Sequence, residues 1–141
     1  MADTHDHTPL EAALARVGDR WTLLAVQALL DGPRRFNELQ ESLPGIATSV
    51  LSQRLKHLTA EGLVLARPYQ DHPPRYAYEL TAAGRELAGA LRLLSDWGAA
   101  HAEDVEAARH GACGTPIEAR WYCPTCESAV GEHDAEDLRY A

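Results

Sequence analysis

Apolar residues recur along the first hundred positions mostly at the spacing of helix faces. Leu10, Leu14 and Val17 follow Pro9, which suits a first helical turn because its missing N–H would be unpaired there in any case. Gly18 ends that helix. Asp19 is placed to cap a second helix, in which Trp21, Leu24, Ala25 and Ala28 share a face until Asp31-Gly32-Pro33 stops it. A short helix from Arg35 to about Ser42 turns Phe36, Leu39 and Leu43 inward, and Leu43-Pro44-Gly45-Ile46 makes a turn. Thr48 then caps a helix from Ser49 to about Glu61, closed by Gly62. Leu51, Leu55 and Leu58 form its apolar stripe, with Ser49, Ser52, Gln53, Lys56 and His57 on the other side.

The period then shortens. Leu63 to Arg67 and Arg75 to Leu80 have strand-like composition, with a turn at Gln70-Asp71-His72-Pro73-Pro74 between them. Thr81 starts a long final helix along which Leu87, Leu91, Leu94, His101 and Val105 align, with Gly98 as a kink. Two short helices joined by a tight turn, followed by a hairpin, make a helix-turn-helix with a wing. The predicted fold is mainly α (α+β): a winged helix-turn-helix with a long C-terminal helix. Its expected organisation is a flexible tail at 1–8, the DNA-binding domain at 9–98, a helical extension at 99–109 and an appendage at 110–141. An unrelated α+β domain whose polar helix side is merely solvated shares the same pattern.

Charge changes this picture only locally. The 141 residues carry a formal net charge of -8, unlike the basic footprint of most DNA binders. The acidity sits at the ends: residues 1–19 carry about -3, residues 20–98 about +1 and residues 99–141 about -6. Basic groups cluster in the middle, at Arg34-Arg35, Arg54-Lys56-His57 and Arg67 to Arg75, and local field governs attraction of a polyanion. No apolar run is long enough for a membrane span, and the polar start lacks the features of a signal peptide, so a cytoplasmic protein is expected.

Ordered motifs extend over residues 8–98. They are Gly18-Asp19-Arg20-Trp21-Thr22-Leu23-Leu24, Gly32-Pro33-Arg34-Arg35-Phe36-Asn37-Glu38-Leu39, Leu43-Pro44-Gly45-Ile46 and Val50 to Leu58. Glu61-Gly62-Leu63-Val64, Pro73 to Gly84 and Trp97 complete the series. This series resembles the HxlR-type family of bacterial winged-helix transcription regulators. The resemblance implies a homodimer in which terminal helices pair, helix Ser49–Glu61 in the major groove, and the 70–75 hairpin on the adjacent backbone or minor groove. It also implies a palindromic operator with half-sites about 34–36 Å apart, repression being the commoner outcome. Many members carry a redox-sensing cysteine before the first helix; Thr8 stands there in this chain, so that route is absent.

Gln53 is the expected base reader, because its amide can pair with adenine in a bidentate manner. Thr48, Ser49, Ser52, Lys56 and His57 share the helix with it, and Arg54 at the flank suits a phosphate. Arg34 and Arg35 precede the first helix of the motif, and Arg75 lies at the wing tip. The plainer readings are a solvated face for the helix, helix-terminal surface charge or an ion pair with Glu38 for Arg34 and Arg35, and a pair with Asp71 for Arg75. Trp21, Phe36, Tyr76 and Tyr78 read as core, while Trp97 suits either the core or a dimer seam.

Cys113, Cys123 and Cys126 all lie in the last third. His110-Gly111-Ala112-Cys113 and Cys123-Pro124-Thr125-Cys126 have the spacing that lets two ligands reach one tetrahedral Zn²⁺. Ile117 to Tyr122 between them can form a hairpin, so the tail reads as a small zinc ribbon holding one structural ion through His110, Cys113, Cys123 and Cys126. His101 or His133 can replace His110. A redox-active Cys123/Cys126 pair and unliganded thiols remain open. A metal- or redox-responsive sensor is thus the second functional class, and an interaction module without DNA binding the third. The chain shows no phosphate-cradling loop and no nucleophile–base constellation, so an enzyme is not expected. The effector, operator and target genes have no signature in the sequence.

Overall fold

Thr8 starts helix α1 (Pro9–Val17): its hydroxyl accepts the Glu11 N–H while the Glu11 carboxylate accepts the Thr8 N–H. The computed structural model describes residues 8–131, so the expected tail at 1–7 and His133 lie outside the described residues. Contacts divide the chain into two units, residues 1–91 and 92–141.

In the first unit, Asp19 caps α2 (Arg20–Leu30) by accepting the N–H groups of Trp21 and Thr22 at 3.0 and 3.1 Å. The buried face of α2 is Thr22, Ala25, Val26 and Leu29. Trp21, Leu24 and Ala28 pack at its margin, so the face is turned from the one expected. Arg20 lies over the Trp21 ring, 4.6 Å from its centroid, as the indole sits at the edge of the core.

A two-residue strand, β1 (Arg34–Arg35), precedes α3 (Phe36–Ser42) and has no signal in the sequence. Gly45, at φ +87°, turns the chain toward α4 (Thr48–Ala60). Ala47, not Thr48, occupies the cap position of α4. Thr48 instead accepts a 2.8 Å hydrogen bond from Gln40 Nε2 of α3, which ties the two helices at the turn.

Strands β2 (Val64–Asp71) and β3 (Pro74–Leu80) form the wing, and the sheet order is β1-β3-β2, all antiparallel. The wing is longer than composition predicts. Beyond a bulge between Pro68 and Gln70, Gln70 pairs with Arg75 and Asp71 with Pro74. Both faces are exposed there, so no apolar alternation marks it.

The core joins Val26 and Leu29 of α2, Leu39 of α3 and Leu51, Leu55 and Leu58 of α4 to Val64 and Leu80 of the sheet. Full burial of each leucine stabilises by roughly 1.5–3 kcal/mol.

The single long helix expected after Thr81 is two helices, α5 (Ala82–Arg85) and α6 (Ala88–His101). The Thr81 hydroxyl accepts the Gly84 N–H and donates to the Gly62 carbonyl oxygen. Gly84 presses on the backbone of Leu63 so closely that a Cβ would stand 2.2 Å from its oxygen. Helix α5 is thereby pinned to the end of α4. Leu87 N–H bonds the Gly84 oxygen three residues back, and the helix restarts. Leu87 and Leu91 pack on the core, whereas Leu94 and Trp97 are 56% and 64% exposed. Val105 lies beyond the helix. Glu103, Asp104 and Glu106 follow His101, and acidic groups at a helix C-terminus oppose its dipole.

In the second unit, residues 102–109 are not helical. Arg109 bridges Pro116 around a turn, and β4 (Trp121–Cys123) pairs with β5 (Ser128–Val130). The hairpin expected over Ile117–Tyr122 does not form, because Trp121 and Tyr122 pair forward with Val130 and Ala129. No helix among the described residues is long and apolar enough to cross a membrane.

Leu55→Ala is expected to lower the unfolding free energy by about 2–5 kcal/mol. Leu65→Ala, on an exposed side chain, should change it by no more than about 0.5 kcal/mol. Urea unfolding of the two variants measures both values.

Candidate nucleic-acid interface

Helix α4 has three sides, each with its own environment. The first is the buried stripe of Leu51, Leu55 and Leu58.

The second side faces α1 and α2. Arg54 Nε lies 2.8 Å from Asp19 Oδ1, an ion pair without an aligned hydrogen bond. His57 Nε2 is 2.6 Å from the Arg16 carbonyl oxygen, which can only accept, so that nitrogen carries the proton. Arg16 in turn donates through Nε to the Glu61 carboxylate at 2.5 Å and through Nη2 to the Glu61 carbonyl oxygen at 2.9 Å. Arg54 and His57 therefore hold the helix in place, where Arg54 was expected to meet a phosphate and His57 to share the groove-facing side. The Arg16 hydrogen bond draws the Glu61 carboxyl below its ordinary pKa. Partial burial pushes Asp19 up, but the Thr22 N–H, the Arg54 guanidinium and the Trp21 N–H together hold it below its ordinary value.

The third side carries Ser49, Gln53 and Lys56 at i, i+4 and i+7, all exposed. Thr48 is exposed at the start of the helix, with its hydroxyl engaged by Gln40. Ser52, Lys56 and Thr59 also line a cleft of about 430 Å³ against the wing, opposite Ala66 and Tyr76. Tyr76 is thus a cleft residue, not the core residue expected, whereas Trp21, Phe36 and Tyr78 do pack on the core.

Strand register sorts the arginines. Arg35 and Arg67 both pair with Ala77, and Arg75 lies two residues before it, so all three share one face of the sheet. Arg67 is ion-paired with Glu79. Arg35 lies 4.5 Å from the Tyr69 ring centroid, beside a concavity of about 560 Å³ that Asn37 and Arg75 also line. The Glu38 carboxylate accepts the Arg35 backbone N–H at 2.6 Å. Arg34 points the other way: its Nε donates to the Ala28 carbonyl oxygen at 2.8 Å and Nη2 lies 3.5 Å from Asp31, closing the end of α2. Arg34 thus serves the fold, while Arg35 and Arg75 stay exposed. Asn37 and Tyr69 were not singled out in the sequence; an aromatic residue two positions from Arg67 was the available signal. Amide, ammonium and guanidinium donors over a helix and a wing suit base edges and phosphates.

The four expected metal donors fall into two pairs. His110 Nδ1 lies 3.3 Å from Cys113 Sγ, while Cys123 ends β4 and Cys126 lies in the turn that leads to β5. Among the described residues no three such donors converge on one point, so the four-ligand cluster is not assembled. The Thr115 hydroxyl and N–H, with His110, bring the Cys113 thiol down to about 7. N–H groups of Cys126 and Thr125 lower Cys123.

The sequence pattern described as HxlR-like helix-turn-helix matches residues 16–106, most of the chain and all of this interface. The chain belongs to the HxlR-like helix-turn-helix family. It is 40% identical over 122 residues to an HTH-type transcriptional regulator of Mycobacterium tuberculosis, covering 84% of this chain and 77% of that one. The solved structure of the HTH-type regulator YtcD, a protein of Bacillus subtilis, is 36% identical with a TM-score of 0.63, over 67% of this chain and 97% of YtcD. The oxidised form of the redox regulator HypR is 32% identical with a TM-score of 0.63, over 67% of this chain and 98% of HypR. This HxlR-like chain is accordingly a transcriptional regulator of helix-turn-helix type and not an enzyme.

Because the folded state favours ionised Asp19, its contribution is present above the ordinary carboxylate range and is lost as pH falls through the lowered value. Stability is expected to drop on acidification below about pH 4. Asp19→Asn should be less stable at neutral pH and show a flatter acid limb. Thermal melts across the acid range, compared with the wild type, check this.

Proposed function

We propose that this HxlR-like regulator binds double-stranded DNA as a homodimer and represses transcription from a palindromic operator in the cytoplasm. One observation carries the reading. Two sides of α4 are consumed by the core and by α1 and α2, and the remaining side presents Ser49, Gln53 and Lys56 to solvent. A helix held this way can enter a major groove without rearranging. Gln53 reads bases. Lys56, Arg35 and Arg75 neutralise phosphates, with Ser49, Ser52 and Thr48 as shorter donors. Arg34, Arg54 and His57 act by holding α2 and α4.

The dimer reading rests on apolar exposure. Leu10 and Leu14 on α1 are 67% and 52% exposed, and Leu94 and Trp97 lie one turn apart on α6. A second copy of the chain would remove such surface from water.

In vitro selection from random duplexes should enrich one palindromic sequence; recovery of no motif would end the proposal. Gln53→Ala should flatten the preference at one base position by about 1–3 kcal/mol, while Arg75→Ala weakens all duplexes alike and reduces the salt slope by about 1. Titrations of matched and mismatched duplexes at several salt concentrations separate the two roles.

Replacing Leu94 and Trp97 by glutamate should shift the sedimenting species from dimer to monomer and lower operator affinity at nanomolar protein. A wild-type chain that sediments as a monomer at micromolar concentration contradicts the dimer.

A further inference from the structure

We propose that the two Cys/His knuckles of the second unit close on a single tetrahedral Zn²⁺ bound by His110, Cys113, Cys123 and Cys126. The inference does not rest on the DNA-binding reading.

The first support is what this segment lacks. From Ala102 to Gly131 only Cys123 and Val130 are even partly covered, and Trp121 and Tyr122 are 54% and 63% exposed. Two three-residue strands with no apolar core beneath them are not stable alone in water. A segment this short acquires its order from a cross-link or a metal.

The second support is a shared backbone form. His110 and Cys113, and Cys123 and Cys126, are each separated by two residues. In each, the next residue adopts the left-handed conformation: Gly114 at φ +72° and Glu127 at φ +52°. For Gly114 this costs nothing; for Glu127 it is strained, yet the same conformation is held at the same place in the second knuckle. The turn of the first knuckle directs the N–H groups of Cys113 and Gly114 at the His110 oxygen, at 3.3 and 2.7 Å.

The third support is the donor set. Three thiolates and one imidazole select Zn²⁺ over Mg²⁺ or Ca²⁺. Within the first pair the nitrogen and sulfur are 3.3 Å apart, near the separation of two ligands on one tetrahedral ion. Ile117 to Arg120, between the knuckles, has no regular structure and can fold to bring the pairs together. Binding displaces up to three thiol protons, and the neutral imidazole adds its lone pair. His101 is less suited than His110: its ring stacks on Trp97, and its Nδ1 lies 2.8 Å from the Trp97 carbonyl oxygen.

The test uses the full chain, purified under reductant. Elemental analysis should find one zinc per chain, and replacement by Co²⁺ should give a visible spectrum with thiolate-to-metal charge transfer. Cys113→Ser and Cys123→Ser should each abolish stoichiometric binding and that spectrum. Chelation of the wild type should expose residues 102–131 to protease while the melting transition of the first unit stays in place. That second route keeps the test independent of any variant's folding. Zinc-free reduced protein that binds no Co²⁺ overturns the proposal. So does stoichiometric metal that survives both serine variants, or a cobalt spectrum unchanged by His110→Ala. Selection of an operator by the zinc-depleted chain would leave the DNA reading intact whichever way the metal result falls.

Discussion

Burial of Leu51, Leu55 and Leu58 is the constraint on which the rest of the first unit depends. Once these side chains enter the core, a helix of 3.6 residues per turn has no rotational freedom left. Arg54, His57 and Glu61 must then face α1 and α2, and Ser49, Gln53 and Lys56 must face out. The apolar effect orients the helix coarsely. The contacts to Asp19 and Arg16 complete the setting, because Arg54 and His57 of α4 each reach a group at the end of another helix. Several of these groups are half-exposed, so their value lies more in geometry than in free energy.

That division reconciles an acidic chain with a polyanionic partner. Two of the basic groups nearest the motif, Arg34 and Arg54, pair with Asp31 and Asp19 at the two ends of α2. Of the arginines and the lysine expected at the interface, Lys56, Arg35 and Arg75 keep their charge exposed, on one helix and one sheet face. A small, localised positive field favours recognition that relies on base contacts and shape more than on bulk attraction. The second unit follows different physics. It carries little buried apolar surface, so its form depends on backbone turns and on whatever its sulfur and imidazole groups hold.

Much of the fold was legible because local chemistry and tertiary packing agree. Asp19 caps α2 as its position predicts, Gly18 and Gly62 end helices, and the leucine stripe of α4 is buried as spaced. Disagreement arose where a distant partner intervenes. Arg34 and Arg35 look alike in the chain, yet β1 is created only by pairing with β3, and alternation along it sends one side chain to α2 and the other to the wing. The helix after Thr81 reads as continuous, yet Gly84 must meet Leu63, and that contact stops it after one turn. Tyr76 has the composition of a core strand but lies where the wing extends past the core.

Spacing, caps and turn residues were enough to specify a winged helix-turn-helix and to pick out its second helix, because those features arise between residues a few positions apart. Which polar groups of that helix remain available, where the last helix breaks, and whether four potential ligands stand together were settled by contacts between residues far apart in the chain. Side-chain chemistry states what a group can bond to; only the approach of another segment determines whether that capacity is already used.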